Sequence, residues 1–373
     1  MRDYTEVFIG IDTSKLRNAV AIAEAGRNGE ISYLGEIDNT KHATRKLAAK
    51  LSQRYGKLHF CYEAGPTGYG LHRWLMELGH SSMVAAPSLI PKRPGDRVKT
   101  NRRDAQSLAR LLRAGELTAV WVPDKAHEAI RDLVRARDAA VKDLRAKRQQ
   151  LSSFLLRHSL SYPGKTAWTK THARWLAGLK FEHHAHRFVL EESLNAIRDA
   201  DGRIARIETA IQELAPQWSL APVLQAIQAM RGIDFIAAVS FLSEVGDLSR
   251  FEKPTQLMGY LGLTPSEQST GDEVRRGGIT KAGNVRARRM LIESAWTYRF
   301  PARIGASKQA KIEAVPKRVA DIAWKAQTRL CARYRALTAR GKKPGVAVTA
   351  VARELAAFLW AIAREVPAAA VAA

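Results

Sequence analysis

Val7, Phe8, Ile9 and Ile11 open the chain with an apolar run that is long enough for a buried strand and too short for a helix. The run ends on an acid, Asp12, followed by Thr13, Ser14 and Lys15. A carboxylate at the end of a buried strand is held by a rigid backbone and can bind a cation. Asp and Ser also start turns through local hydrogen bonds, so Asp12 by itself has two readings. Other acids further along the chain favour the first.

Two further strand patterns, Asn18–Glu24 and Ile31–Ile37, are separated by Gly26 and the Asn28-Gly29 pair, a hairpin signal. The three runs predict an antiparallel meander. Helical patterning over 43–54 precedes a strand at Leu58–Tyr62, which again ends on an acid, Glu63, and turns through Ala64–Gly68. A helix over 71–78 and a strand over 82–86 come next, closed by Pro87. Three strands, a helix, a strand, a helix and a strand is the order of a ribonuclease-H-like fold. Its first and fourth strands lie side by side, which predicts that Asp12 approaches Glu63. A third acid, Asp104, falls on the first turn of a helix whose face carries Leu108, Leu111 and Leu112. The helix macrodipole favours a carboxylate there, with or without a catalytic role. Three acids at the ends of separate elements suit a site for two cations about 4 Å apart that acts on a phosphodiester.

Lys and Arg number 60 against 36 Asp and Glu, a formal charge of +24, which attracts polyanions. No run approaches the roughly 20 apolar residues expected of a membrane span, so no membrane partner is expected. The N-terminus lacks the apolar core of a signal peptide. Cys61 and Cys331 are too few for a disulfide framework or a cysteine zinc site. Nucleic acid is the favoured partner and a reduced cytoplasm the expected setting.

The division expected is 1–124, 125–216 and 217–373. In the middle part, 126–158 is helical over an unusual length, with Ile130, Val134, Val141, Leu144, Leu151 and Leu155 near a heptad seam. A second helix over 188–214 carries Leu190, Leu194, Ile197, Ile204, Ile207, Ile211 and Leu214, with a local interruption expected at Asp201-Gly202. The pair predicts an antiparallel coiled-coil arm, either closed within one chain or also joining subunits. The tract His183-His-Ala-His186 has no partner spaced for tetrahedral ligation.

Past Pro216 and Pro222, Met230–Asp234 and an apolar helix over 235–245 resemble a helix-hairpin-helix element, with Asp234 where a second glycine is expected. Such a turn presents backbone N–H groups to a phosphate. The segment 259–284 is rich in Gly, Ser and Thr and carries Arg275, Arg276 and Lys281, a phosphate-binding composition. Two more helices are expected over 319–334 and 346–362.

Ile-Gly-Ile-Asp-Thr-Ser-Lys at 9–15, Tyr-Glu-Ala-Gly-Pro-Thr-Gly at 62–68 and Lys-Thr-Asn-Arg-Arg-Asp-Ala at 99–105 resemble the RuvC-like domain of the IS110-type "DEDD" insertion-sequence transposases. The segment from Gly259 to Trp296 resembles the transposase domain of the same family. The fold implied is α/β plus α: an N-terminal RNase H-like (RuvC-like) domain, a long coiled-coil insert, and a mainly helical C-terminal transposase domain. Asp12, Glu63 and Asp104 match three of the family's four acids. The fourth falls on Asn101, whose amide is a neutral and weaker ligand for a hard cation; Asp96 lies upstream. The implied cofactor is Mg²⁺ or Mn²⁺. A serine that joins covalently to DNA is implied at Ser269, with Ser266 and Thr270 close by. Contacts to nucleic acid are expected from Lys15, Lys99, Arg102, Arg103, Arg275, Arg276, Lys281 and Arg286. The resemblance implies cutting and rejoining of donor and target DNA at insertion-sequence ends, guided by a structured bridge RNA. It also implies a homodimer or homotetramer, cytoplasmic in a bacterium and nucleoid-associated when bound to DNA. Two alternatives stand beside it: a metal-dependent junction nuclease with no serine step, and a non-catalytic nucleic-acid-binding protein.

Overall fold

The structure is a computed structural model and describes residues 5–91, 100–270 and 273–366. The chain divides into two compact units, Met1–Val122 and Pro123–Ala373.

In the first unit, β1 (Glu6–Thr13), β2 (Arg17–Glu24) and β3 (Ile31–Asp38) precede α1 (Lys41–Ser52). Then come β4 (Lys57–Glu63), α2 (Gly70–Glu77), β5 (Ser81–Ala85) and α3 (Asn101–Ala114). The sheet order is β3-β2-β1-β4-β5. β1 runs antiparallel to β2 and parallel to β4, so the adjacency expected of the first and fourth strands is observed. The two faces of the sheet differ in residue size. Val7, Ile9, Ile11, Val20, Ile22, Phe60 and Tyr62 point to one face and pack with Leu47 and Leu51 of α1 and Leu71 and Leu75 of α2. The opposite face carries Gly10, Ala19, Ala21 and Cys61, small enough for α3 to lie directly on the strands.

The second unit opens with α4 (Lys125–Arg157), α5 (Lys170–Ala177) and α6 (His184–Leu214). α4 and α6 lie side by side and antiparallel, as the ion pairs Arg137–Glu208 at 2.6 Å and Arg148–Asp201 at 3.2 Å require. Ile130, Val134 and Ile211 join the large core of the unit, whereas Leu144, Leu151, Leu155, Leu190 and Ile197 form a separate distal core. The expected interruption at Asp201-Gly202 is absent, and α6 runs through both residues. An internal glycine weakens a helix by about 1 kcal/mol, less than the packing of Ile197 and Ile204 against α4 contributes. α6 also starts a turn earlier than expected, because the His183 ring accepts a hydrogen bond from the Ala185 amide and caps it.

The remainder comprises α7 (Ala221–Ile227), α8 (Phe235–Val245), α9 (Pro254–Tyr260), β6 (Pro265–Glu267) and β7 (Arg276–Ile279). It closes with α10 (Val285–Ala295), α11 (Ala306–Glu313), α12 (Lys317–Ala339) and α13 (Pro344–Glu365). The last helix corrects one expectation: α13 is long and apolar enough to cross a membrane by length and composition. Its Val348, Val351, Leu355, Leu359 and Ile362 are fully buried in the core shared with α8 and α10, which accounts for that composition.

Candidate active site

The acids of the first unit are placed by the small-residue face of the sheet. Gly10 and Cys61 are register partners on β1 and β4. Both face α3: a Cβ on Gly10 would lie 2.3 Å from the Ala105 carbonyl oxygen, and Cys61 Sγ lies 3.5 Å from that of Leu108. Side chains alternate along a strand, so Asp12 and Glu63, two residues on, belong to this same face. The direction of α3 is set by its far end, where Arg113 Nη1 donates to the carbonyls of Glu24 and Gly29 at 2.9 and 2.7 Å. Glu24 pairs with Val7, near the start of β1. α3 is therefore antiparallel to β1, and its first turn, with Asp104, lies toward the end that carries Asp12.

Asp12 and Asp104 are half-buried and Glu63 is exposed. The turn after Glu63 is fixed to β1 by a hydrogen bond between the hydroxyls of Thr67 and Thr13 at 3.1 Å. Asn101 is the first residue of α3 and is exposed. Arg102 stacks over the Tyr33 ring at 5.3 Å, Arg103 is exposed beside it, and Lys15 is exposed at the β1–β2 turn. Asp96 and Lys99 lie outside the described residues. Among the described residues, no three His, Cys, Asp or Glu side chains stand close enough together to hold a metal ion. The donors gathered at this end of the α3 face are carboxylates, with the Asn101 amide on α3's first residue. These are hard oxygen ligands that suit Mg²⁺ or Mn²⁺ over softer metals.

In the second unit, β6 and β7 form an exposed hairpin. Ser269 lies just past β6, and its hydroxyl donates to Glu267 Oε1 at 2.9 Å. Arg276, the register partner of Glu267, donates to the other carboxylate oxygen at 3.1 Å. The Ser269 hydroxyl, and then Arg276, hold the Glu267 carboxyl below the usual carboxylate range. The neighbouring hydroxyls differ. Ser266 donates across the hairpin to the Gly278 carbonyl at 3.1 Å, and Thr270 pairs through its backbone with Glu273. Arg275 makes a two-point contact with Glu273, at 2.9 and 3.0 Å. Gly271 and Asp272 lie outside the described residues.

The base of this hairpin is built more tightly than its tip. A Cβ on Gly262 would sit 2.1 Å from the Ala282 carbonyl oxygen, and one on Gly283 1.9 Å from that of Tyr260. Arg288, 8% exposed, donates from one nitrogen to the carbonyls of Leu261 at 2.9 Å and Ala282 at 2.8 Å, tying the two stems together. Lys281 takes a positive φ of 57° in the same stem. Asn284 caps α10 and donates to the buried Glu244 at 2.7 Å, and Arg135 of α4 grips the same carboxylate at 2.8 and 3.0 Å. Burial raises the Glu244 pKa, but the hydrogen bonds from Arg135 and Asn284 outweigh it and hold the carboxyl below its ordinary value. Arg286, expected to meet nucleic acid, pairs with Asp138 at 2.9 Å. In the turn before α8, Gly232 takes a φ of 78° against Ser294, and Asp234 caps the helix by accepting from the Ala237 amide.

Sequence reasoning missed Glu267, Arg288 and Glu244. Glu267 had a usable signal, since it stands two residues before Ser269 and extended backbone puts such residues on one side. Arg288 and Glu244 had none, because their partners are backbone carbonyls or residues far away in sequence.

An α/β sheet domain with carboxylates at one end of its small-residue face, followed in sequence by a helical domain with a basic serine hairpin, defines a class of phosphoryl-transfer protein acting on nucleic acid. Similarity to known proteins identifies which. Residues 9–159 match the DEDD transposase family of the IS110 group, and residues 224–308 match the family described as transposase IS116/IS110/IS902. The chain is 58% identical, over 97% of its length and 90% of the relative's, to y4qE of Sinorhizobium fredii (strain NGR234), which is named as a transposase. It is 31% identical to the transposase for insertion sequence element IS1533 of Leptospira borgpetersenii, over 91% of this chain and 98% of that one. Identity to the transposase for IS1111A of Coxiella burnetii is 23%, over 77% and 76% of the two chains. The chain belongs to the IS110/IS116/IS902 family of transposases, enzymes that cut and rejoin DNA. DEDD nuclease-like proteins generally depend on divalent metal.

Proposed function

We propose that this transposase cuts and rejoins DNA at insertion-sequence ends through a covalent serine intermediate, with Asp12, Glu63 and Asp104 holding Mg²⁺ or Mn²⁺ and Ser269 as the nucleophile. The observation that carries the reading is the common face and common end shared by the three acids, on elements far apart in sequence. Bound there, the ions would stabilise charge on the attacking and leaving oxygens of the phosphodiester. Asn101 would add only a neutral carbonyl donor, which makes this the weakest corner of the ligand set.

The chain's own part in the chemistry is positioning. Ser269 Oγ forms a bond to the scissile phosphorus as the bond to the leaving strand's oxygen breaks; the hydroxyl proton is lost to solvent water, the leaving oxygen takes a proton up from it, and rejoining reverses the exchange. Glu267 aims the Ser269 hydroxyl. Its depressed pKa makes it a poor base, so its role is orientation. Ser266 and Thr270 fit the nucleophile's role less well, since Ser266 is committed to the opposite strand of the hairpin and Thr270 is held in the backbone pairing at its tip. Both halves of the chemistry must reach one phosphodiester, within one chain or between copies of a homodimer or homotetramer. A structured guide RNA is the proposed source of sequence selection, and +24 of formal charge suits it. The setting proposed is the bacterial cytoplasm, with the 125–216 segment as the arm of assembly and the Gly232 turn as a helix-hairpin-helix contact to phosphate.

The test is to trap the protein on a cleaved insertion-sequence end and identify the linked peptide by mass. The linkage is expected at Ser269, and Ser269→Ala should abolish it while leaving DNA binding intact. Cleaved ends with no attached peptide would revive the junction-nuclease reading, and no cleavage by any variant the non-catalytic one; family membership favours neither.

A further inference from the structure

We propose that the tip of the helical arm, the segment 157–187 joining α4 to α6, is a docking surface for the phosphate backbone of duplex nucleic acid, distinct from the serine hairpin. Arg157, Lys165, Lys170, Arg174, Lys180 and Arg187 all lie in this segment and all are exposed, with Glu182 as its single acid.

The shaft of the same arm is different. Four of its cations are committed, Arg135 to Glu244, Arg137 to Glu208, Lys147 to Asp143 and Arg148 to Asp201. Lys142, Arg145, Arg203 and Arg206 are exposed, on helices that also carry Asp132, Asp138, Asp143, Asp199, Asp201 and Glu208. Among the described residues none of the six tip cations makes an ion pair. A charge run on a helix is normally a solvated face balanced by neighbours of opposite sign. The tip lacks that balance, and its excess of one sign raises the local concentration of a polyanion.

The tip is also more rigid than its loop composition suggests. Tyr162, Trp168 and Trp175 surround the His172 ring at centroid distances of 4.7, 4.9 and 5.6 Å. Leu176 beneath them is 3% exposed, and Arg148 of α4 stacks on Trp168 at 5.0 Å. Ser159 and Trp168 hold positive φ values of 59° and 64°, and Lys281 in the stem of the serine hairpin is the remaining non-glycine residue of that kind among those described. Such conformations persist only where surrounding packing fixes them, and they gather at ligand clamps. The cations are thus carried on a fixed scaffold, which lowers the ordering that binding requires.

Duplex nucleic acid fits because it presents a negative charge about every 1.7 Å along its axis, matching a broad cationic surface without any shaped pocket. α4 spans roughly 50 Å at 1.5 Å per residue, so the tip contacts phosphates far from the base of the arm.

The experiment is fluorescence anisotropy with the full chain and a short DNA duplex of arbitrary sequence, over a salt series, in a Ser269→Ala background so that cleavage plays no part. The neutralised variant Lys165→Gln, Lys170→Gln, Arg174→Gln, Lys180→Gln is expected to bind at least about tenfold more weakly at low salt. The slope of log affinity against log salt should shrink by about 0.9 for each phosphate that the tip no longer neutralises. A second variant, Lys165→Arg, Lys170→Arg, Lys180→Arg, keeps the charge and should bind as the parent does. Unchanged affinity and slope in the neutralised variant, with unchanged thermal melting, would overturn the proposal. So would equal weakening in the charge-keeping variant, or phosphatidylserine vesicles binding the parent more tightly than the duplex with the same dependence on these residues. None of these outcomes bears on the Ser269 linkage, so the two readings fail separately.

Discussion

The acid-bearing end of the first unit and the serine hairpin of the second achieve precision in different ways. The acids stand on two strands in the middle of a five-stranded sheet and on a helix laid against it, so their backbone is fixed by burial. The serine stands on an exposed two-stranded hairpin that buries almost nothing, and it is fixed at the stems by Arg288 and at the tip by Glu267. A sheet can hold charged groups in place because packing sets the geometry of its backbone. A hairpin that leaves its core must rely on polar interactions to do the same.

The largest effects should come from removing the groups proposed to react or to hold the ions. Ser269→Ala and Asp12→Asn are each expected to lower strand cleavage by at least about a thousandfold, read by gel assay of labelled ends. The comparison breaks if Ser269→Ala still yields the covalent adduct. Next in size is removal of the hairpin's polar anchor. Arg288→Met leaves two stem carbonyls unpaired, at about 1–3 kcal/mol each, and adduct yield should fall with the melting temperature. Glu244→Ala removes the buried acceptor shared by Arg135 and Asn284, with an expected cost of about 3 kcal/mol.

The Glu244 contribution has a pH signature. Its folded pKa is below the unfolded value, so the stabilisation is complete above about pH 4.5 and is lost as pH falls through the folded value. Plotted against pH, the melting temperatures of wild type and Glu244→Gln should therefore run parallel with a constant offset above that pH and converge as pH falls below it.

Gly10→Ala sharpens the other half of the comparison. The added methyl meets α3 backbone at Ala105, so overpacking of about 1–3 kcal/mol is expected, with cleavage falling more than stability alone explains because Asp104 moves with the helix. The smallest effects belong to two adjustments. Glu267→Gln keeps a hydrogen-bond acceptor for Ser269 and should slow adduct formation by about tenfold or less. Asn101→Asp supplies the absent carboxylate and should strengthen metal-dependent cleavage several-fold, measured as a leftward shift in the Mg²⁺ titration. No shift would mean that the position takes no part in binding the ion.

Much of the first unit was legible in the sequence. Alternating apolar runs closed by Gly and Asn-Gly signals indicated the strand order, and the acid ending each of two runs marked Asp12 and Glu63. Both are local properties, set by a period of two and by turn chemistry. The two long helices were legible from another local property, an apolar seam close to a heptad, although Gly202 misled because local propensity carries no information about the neighbouring helix that outweighs it. α13 misled in the opposite direction: small and polar residues interrupt its apolar stretches, so no single run stands out, yet the whole helix is apolar enough for a core.

The residue types and their order were sufficient to determine which elements form and which side chains end them. The packing alone decided that α3 runs antiparallel to β1 and so brings Asp104 to the end that carries Asp12, since that depends on Gly10 and on Arg113 reaching Glu24 and Gly29. It alone decided that Glu267 and Arg276 bracket Ser269, and that Arg288 closes the hairpin. Those are contacts between residues distant in the chain or between side chain and backbone, and their energies exist only once the elements have met.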